Sequence, residues 1–149
     1  MRVVVQRVKQ ARVDIAGETT AMVGEGFLLL LGVQKNDSEG DVKYLVDRVL
    51  GLRIFEDARG KMNLSIMDKG GAILIISQFT LYGDCRKGRR PSFDDAAPME
   101  LAKNLYNLFV EKIKERGVRV ETGRFGSFMD VSLINSGPAT FLLDSNKVF

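Results

Sequence analysis

The chain has 149 residues, 45% of them apolar and 28% charged, with 22 basic against 19 acidic side chains and a net charge of +3. This is the profile of one globular domain, residues 1–149, long enough to close its own core, and no apolar stretch approaches the roughly 20 residues of a membrane-spanning helix. Histidine is absent and cysteine occurs once, at Cys85, so histidine-paired nucleophiles, histidine metal sites and an internal disulfide are excluded, and zinc is argued against.

The opening third reads as strands over about 2–9, 11–16, 19–24 and 26–33, with turns at Gly17-Glu18 and Gly24-Glu25. Met1-Arg2-Val3-Val4-Val5 begins a strand rather than a signal peptide, so a cytoplasmic location is expected, and a single cysteine fits a reducing compartment. Phe27-Leu28-Leu29-Leu30-Leu31 is continuously apolar, as in a strand covered on both faces. Ser38 is a helix N-cap with Asp41 three residues on, and Val42, Leu45, Val46, Val49 and Leu50 follow at helical spacing. Leu52-Arg53-Ile54-Phe55 reads as a strand with its turn at Asp57-Ala58-Arg59-Gly60.

After Gly70-Gly71, the strand Ala72-Ile73-Leu74-Ile75-Ile76 runs directly into Ser77-Gln78-Phe79-Thr80-Leu81. A core strand that ends in a hydroxyl, an amide and another hydroxyl must satisfy those groups or present them to a ligand. Strand alternation sends Ser77 and Phe79 to one face and Gln78 and Thr80 to the other, although threonine is also an ordinary strand former. Arg86-Lys87-Gly88-Arg89-Arg90 then places four cations in five residues, either a phosphate-binding loop or a merely solvated one.

A second helix is expected from near Pro98 to Arg116, stopped by Gly117, with Leu101, Leu105, Leu108, Phe109 and Ile113 as its buried stripe. Strands return at Val118-Arg119-Val120-Glu121-Thr122 and Met129-Asp130-Val131-Ser132-Leu133. Between them, Gly123-Arg124-Phe125-Gly126 marks a bulge or a close backbone approach. In Leu133-Ile134-Asn135-Ser136-Gly137-Pro138-Ala139-Thr140-Phe141-Leu142-Leu143 a Gly-Pro pair interrupts what otherwise reads as one strand. Proline cannot donate to a ladder, so the pair is either an ordinary hairpin turn or a cis turn that aims the carbonyl oxygens of Gly137 and Pro138 at something.

Ser77-Gln78-Phe79-Thr80-Leu81 and Asn135-Ser136-Gly137-Pro138-Ala139-Thr140 together resemble the two signature motifs of the D-aminoacyl-tRNA deacylases, also called D-tyrosyl-tRNA deacylases. The likeness continues through Met1–Val8, Leu52–Asp57, Gly60–Ser65, Lys87–Phe93 and Gly123–Gly126, and so covers essentially the whole chain. Three positions depart from the family pattern. Ser136 stands where aspartate is common, Ala139 where valine is common and Ser127 where alanine is usual.

The resemblance implies an α+β fold: a barrel-like pair of mainly antiparallel β-sheets with two main helices packed outside, forming a homodimer. It implies hydrolysis of the ester joining a D-amino acid to the terminal adenosine of tRNA, with no cofactor, no metal and no membrane involved. Glycyl-tRNA is expected as a second substrate, because glycine has no side chain to reject. A Gly137-Pro138 cis turn from one subunit would enter the pocket of the other, and its rigid carbonyls would block the direction an L side chain takes. Two routes to the chemistry stay open. Thr80 is the nucleophile or water activator, supported by Ser77 and Gln78, or the terminal ribose 2′-hydroxyl assists water while main-chain N–H groups around Phe79 and Thr80 stabilise the oxyanion. With no histidine as base, the RNA-assisted route is favoured. Phe125 and Met129, with Asn135 and Thr140, are the candidates to line the pocket, against simple core packing for the first two. Lys87, Arg89 and Arg90 are the candidates for tRNA phosphate contacts. Two other classes, a noncatalytic RNA-binding β-barrel and a small-molecule esterase, would share these features.

Overall fold

In the computed structural model, which describes residues 1–148, the first strand, β1 (Arg2–Ile15), runs unbroken through the point where two strands were expected. Its partners explain this. The C-terminal half of β1 pairs antiparallel with β2 (Glu18–Val23) and the N-terminal half with β3 (Gly26–Gly32). Ala11 opposite Val23 and Val8 opposite Gly26 lie on one continuous register, so Gly24-Glu25 is a step within a long hairpin arm, and the only reversal is at Ala16-Gly17.

Helix α1 (Glu39–Leu50) follows, and the capping box holds: the Ser38 N–H donates to the Asp41 carboxylate over 2.8 Å. The expected strand at Leu52–Phe55 is reduced to β4 (Phe55–Glu56), which pairs with β5 (Met62–Leu64) as a two-stranded ribbon. Ile54 is kept out of a ladder because its carbonyl accepts from the Arg7 guanidinium instead. A four-residue helix, α2 (Ile66–Lys69), capped by Ser65 with Asp68, was not expected; one turn is too short to show periodicity.

Strand β6 (Ala72–Ser77) lies parallel to β3, and after a 3-10 turn at Phe79–Tyr82 the chain reaches α3 (Met99–Glu115) and β7 (Arg119–Thr122), parallel to β6. Pro98 precedes α3 as its N-cap rather than opening it. The last strand, β8 (Asp130–Asp144), returns antiparallel along the other side of β1. The architecture is therefore α+β with a barrel-like sheet, as expected. The sheets differ from expectation: one six-stranded mixed sheet carries parallel β3-β6-β7 pairing, and the second is only the β4-β5 ribbon.

Side-chain alternation assigns the two faces. Phe27, Leu29 and Leu31 of β3 and Ile73 and Ile75 of β6 join Leu45, Val49, Phe109 and Ile113 in the core under α1 and α3. Leu28, Leu74 and Ile76 point the other way, into the rolled sheet, with Val8, Val13 and Val23. Both faces of β3 and β6 are thus covered, which is why they read as unbroken apolar runs. Among the described residues no helix is long and apolar enough to cross a membrane.

Candidate functional site

The strand reading of Ser77–Leu81 does not hold. The Gln78 N–H donates to the Leu31 carbonyl over 2.8 Å, the last ladder-like bond, and the chain then winds into the 3-10 turn, with Leu81 N–H on Gln78 O and Gly83 N–H on Thr80 O. Gln78, Phe79 and Thr80 therefore do not alternate. The Gln78 amide Nε2 donates to Thr80 Oγ1, Thr80 is exposed, and the Phe79 ring is 58% exposed. Among the described residues the main-chain N–H groups of Phe79 and Thr80 have no acceptor, as expected at the start of a helical turn.

Arg2 holds the far end of this turn. Its Nη1 donates to the Leu81 carbonyl at 3.0 Å, its guanidinium lies 4.6 Å from the centre of the Tyr82 ring, and its Nε donates to Asp144 Oδ2 at 2.9 Å. Burial, helped by Asp37 and Asp144 and opposed by Arg2, raises the Tyr82 hydroxyl well above the usual phenol value, so it stays protonated.

Phe125 and Met129 are both half-buried at the C-terminal end of β6. Phe125 packs on the helix side, 5.6 Å from the Tyr106 ring, whose hydroxyl donates to the Ile75 carbonyl over 2.8 Å. Met129 packs on the opposite side against the interior of the rolled sheet. A Cβ at Gly123 would meet side chains rather than another stretch of backbone, lying 2.6 Å from Met129 Sδ and 3.1 Å from Ile76 Cδ1.

Gly137 and Pro138 do not form a hairpin turn. β8 continues past them, with Asn135 opposite Val8 and Thr140 opposite Gln6, so that residues 136–139 bulge out against the single residue Arg7. The Gly137-Pro138 peptide is cis, both residues are exposed, and Ala139 is buried beneath them. Asn135 Oδ1 accepts from Gln6 Nε2 at 3.0 Å. Sequence reasoning missed Arg7, which is 6% exposed and donates from Nε to the Ser136 carbonyl at 3.0 Å while its Nη1 reaches the Ile54 carbonyl. The signal was there. Val3, Val5 and Arg7 share one strand face, and a cation continuing a buried apolar face demands acceptors.

The motifs thus gather into two groups. Residues 77–80 lie with Phe125 and Met129 at the end of β6, and residues 135–140 lie with Gln6 and Arg7 on β1, and among the described residues no hydrogen bond joins residues 77–80 to residues 135–140. Two clefts, of about 440 and 470 Å³, lie elsewhere, one beside Tyr44 and Arg48 and the other beside Met22 and Ile134. Neither is lined by residues 77–80.

The basic segment is a loop clipped at its base by Asp84 and Ser92, which exchange main-chain bonds of 2.7 and 3.0 Å. Arg86 is spent on Asp84 through Nε at 2.8 Å and Nη2 at 2.7 Å, and this bonding holds the Asp84 carboxyl down at about 2. Lys87, Arg89 and Arg90 are exposed and form no ion pair among the described residues. Cys85 is a free, exposed thiol in the same loop.

Residues 4–144 match the family model described as D-Tyr-tRNA(Tyr) deacylase. The chain is 61% identical over 150 residues to the D-aminoacyl-tRNA deacylase of Thermosipho melanesiensis and 56% identical over 149 residues to that of Clostridioides difficile, covering 100% of both chains in each pair. Among solved structures, a c-Myc DNA unwinding element binding protein superposes with a TM-score of 0.91 at 40% identity, covering 97% of this chain and 98% of the other. A probable eukaryotic D-amino acid tRNA deacylase shares the fold with a TM-score of 0.83 at 20% identity, over 95% of this chain and 97% of that one. With a full-length family match on a chain that carries both motif groups, this protein belongs to the D-Tyr-tRNA(Tyr) deacylase family.

Proposed function

We propose that the protein hydrolyses the ester of D-aminoacyl-tRNA, and of mischarged glycyl-tRNA, to free amino acid and tRNA in the cytoplasm. The observation that carries this reading is the pair of unspent N–H groups on Phe79 and Thr80 in an exposed turn, the donor set an ester oxyanion needs. Water attacks the ester carbonyl carbon, the bond to the ribose 3′-oxygen breaks, and the proton passes to that oxygen. The neighbouring 2′-hydroxyl assists proton movement, since no histidine is present and Thr80 Oγ1 is already engaged by the Gln78 amide. Phe125 and Met129 border the space for the amino acid and adenine.

Handedness is read by the Gly137 and Pro138 carbonyls. Enantiomers make the same bonds, so they are told apart by which directions around Cα are blocked. In one chain the bulge and the Phe79–Tyr82 turn are not bonded to each other, which supports a homodimer in which each protomer supplies the bulge to its partner's turn. The outer edge of β8 and the exposed Leu133, Ile134 and Leu142 offer an unpaired apolar edge for that contact.

One assay tests the reading: release of D-tyrosine from D-Tyr-tRNA beside L-Tyr-tRNA and a free D-tyrosine ester. Rapid release from the first alone is expected. Equal release from both tRNA enantiomers sinks the selectivity, cleavage of the free ester at the same rate favours a small-molecule esterase, and binding without release leaves an RNA-binding module. Sedimentation of the purified protein as a monomer would remove the shared site.

A further inference from the structure

Phe79 and Phe93 form an edge-to-face pair, ring centroids 5.0 Å apart with planes at 64°, and neither ring is buried: 58% of Phe79 and 36% of Phe93 are exposed. Two aromatic rings left in water on one spot are unusual unless something covers them. Their placement is built in. The Asp84–Ser92 clip sets Phe93 at the base of the basic loop, and Gly83 makes room for it, since a Cβ at Gly83 would sit 3.1 Å from Phe93 Cε1. In order of connection, Gln78 and Thr80 flank Phe79 in the chain, Phe79 packs on Phe93, and Phe93 directly follows the clipped loop bearing Lys87, Arg89 and Arg90, which have no ion-pair partner among the described residues.

From this order we infer that the Phe79–Phe93 pair is a stacking platform for an unpaired nucleobase next to the reacting adenosine, with the phosphates that follow held by the three loop cations. The inference rests on the reading that Phe79 and Thr80 receive the aminoacyl ester. Aromatic faces flanked by cations are what single-stranded nucleic acid requires, because every base has a π face and every linkage a negative charge. An apolar peptide would meet the same rings but gain nothing from three free cations. The unpaired acceptor strand of tRNA has both features.

Phe93 is the position to test, since its side chain lies outside the turn that holds the ester. The chain contains no tryptophan, so Phe93→Trp keeps an aromatic ring and adds the only indole. A single-stranded RNA pentanucleotide ending in C-C-A is expected to quench that indole, and Phe93→Leu is expected to weaken binding of the same RNA about tenfold. With D-tyrosyl-tRNA, Phe93→Leu should raise KM about tenfold at unchanged kcat, whereas D-tyrosyl-adenosine, which lacks the neighbouring nucleotide, should be turned over by variant and native protein alike. If the indole fluorescence does not respond to the RNA, or Phe93→Leu binds it as well as the native chain, the platform is overturned. A loss of equal size on D-tyrosyl-adenosine also overturns it, because the ring then serves the adenosine itself. Failure of the native protein to deacylate D-tyrosyl-tRNA would instead overturn the hydrolase reading, while the fluorescence arm still judges the platform.

Discussion

Arg7 donates to the main-chain carbonyl of Ser136 across 129 residues of sequence, and so one buried guanidinium seats the bulge that displays Gly137 and Pro138. Its other end is fixed on Ile54. Arg7→Ala leaves two carbonyls without their donor, at about 1–3 kcal/mol for each buried one. Arg7→Lys supplies a point donor that serves only one of them. Either change is expected to lower the ratio of D-Tyr-tRNA to L-Tyr-tRNA hydrolysis about tenfold, equivalent to about 1.4 kcal/mol, as measured by paired deacylation assays. An unchanged ratio in a folded variant would mean that the bulge holds its shape without Arg7.

Thr80 is exposed and accepts a hydrogen bond from Gln78, an arrangement that positions the hydroxyl rather than removing its proton. Loss of a true general base or nucleophile costs about 10²–10⁴ in rate. Thr80→Ala is expected to lose less than about tenfold, whereas native protein acting on tRNA that ends in 2′-deoxyadenosine should lose about 10²-fold or more. Single-turnover rates decide between the routes. A dead but folded Thr80→Ala protein would restore the threonine.

The three unpaired cations of the basic loop can be counted by salt. Replacing Lys87, Arg89 and Arg90 together with glutamine should weaken tRNA binding and flatten the plot of log affinity against log salt by about 2–3 in slope, the counterions no longer released. Binding measured at several ionic strengths gives the answer directly. Replacing Arg86, already bonded to Asp84, should change that slope least.

Arg86 holds the Asp84 carboxyl at about 2, below its usual 3.8, through its side chain first and its main-chain N–H second. A carboxyl whose folded pKa is depressed contributes order above its unfolded value and loses it as pH falls through the folded one. The Asp84–Arg86 pairing should therefore contribute in full above about pH 4, weaken progressively between about pH 4 and pH 2, and be lost below that. Carbon NMR of the Asp84 side chain should titrate near 2 in the native protein and at a clearly higher pH, still below 3.8, in Arg86→Gln, where the main-chain N–H at position 86 is kept. A native midpoint near 3.8 would mean that the pair does not form in solution.

Asp37 receives the amino-terminal ammonium of Met1 at 2.6 Å and the Gln34 N–H at 2.5 Å, and the ammonium is fully buried. Asp37→Ala strands a buried cation, and removal of one partner from such a pair costs about 3–5 kcal/mol. Urea unfolding should register that loss. A change of less than about 1 kcal/mol would indicate that water reaches the ammonium.

Much of the fold was legible because burial leaves a periodic trace. The β3 and β6 runs and the α1 capping box were read correctly from spacing, and the α3 stripe in part: Leu105, Phe109 and Ile113 are buried, Leu101 and Leu108 only partly, and Tyr106 and Val110 share the buried face. What failed was legible only with a partner in view. Two strands fused into β1 because β8 supports it from the other side, and Ile54 left the strand pattern because Arg7 claimed its carbonyl. Likewise the turn at Phe79–Tyr82 shows no polar alternation, since its geometry is set by bonds to Leu31 and Arg2. The candidate residues stand out by chemical type. Their grouping into two separate clusters does not, because it depends on sheet order.

The order of assembly follows from that sheet order. The bonds that set the Phe79–Tyr82 turn, from Gln78 to Leu31, from Arg2 to Leu81 and from Gly83 to Thr80, all lie within the first 83 residues, as does the pairing of β3 with β6. Seating Ser136 on Arg7 joins the last strand to the first, the long-range kind of closure that comes late in folding. A chain halted during synthesis would hold the Phe79–Tyr82 turn before the strand that carries Gly137 and Pro138 had been made.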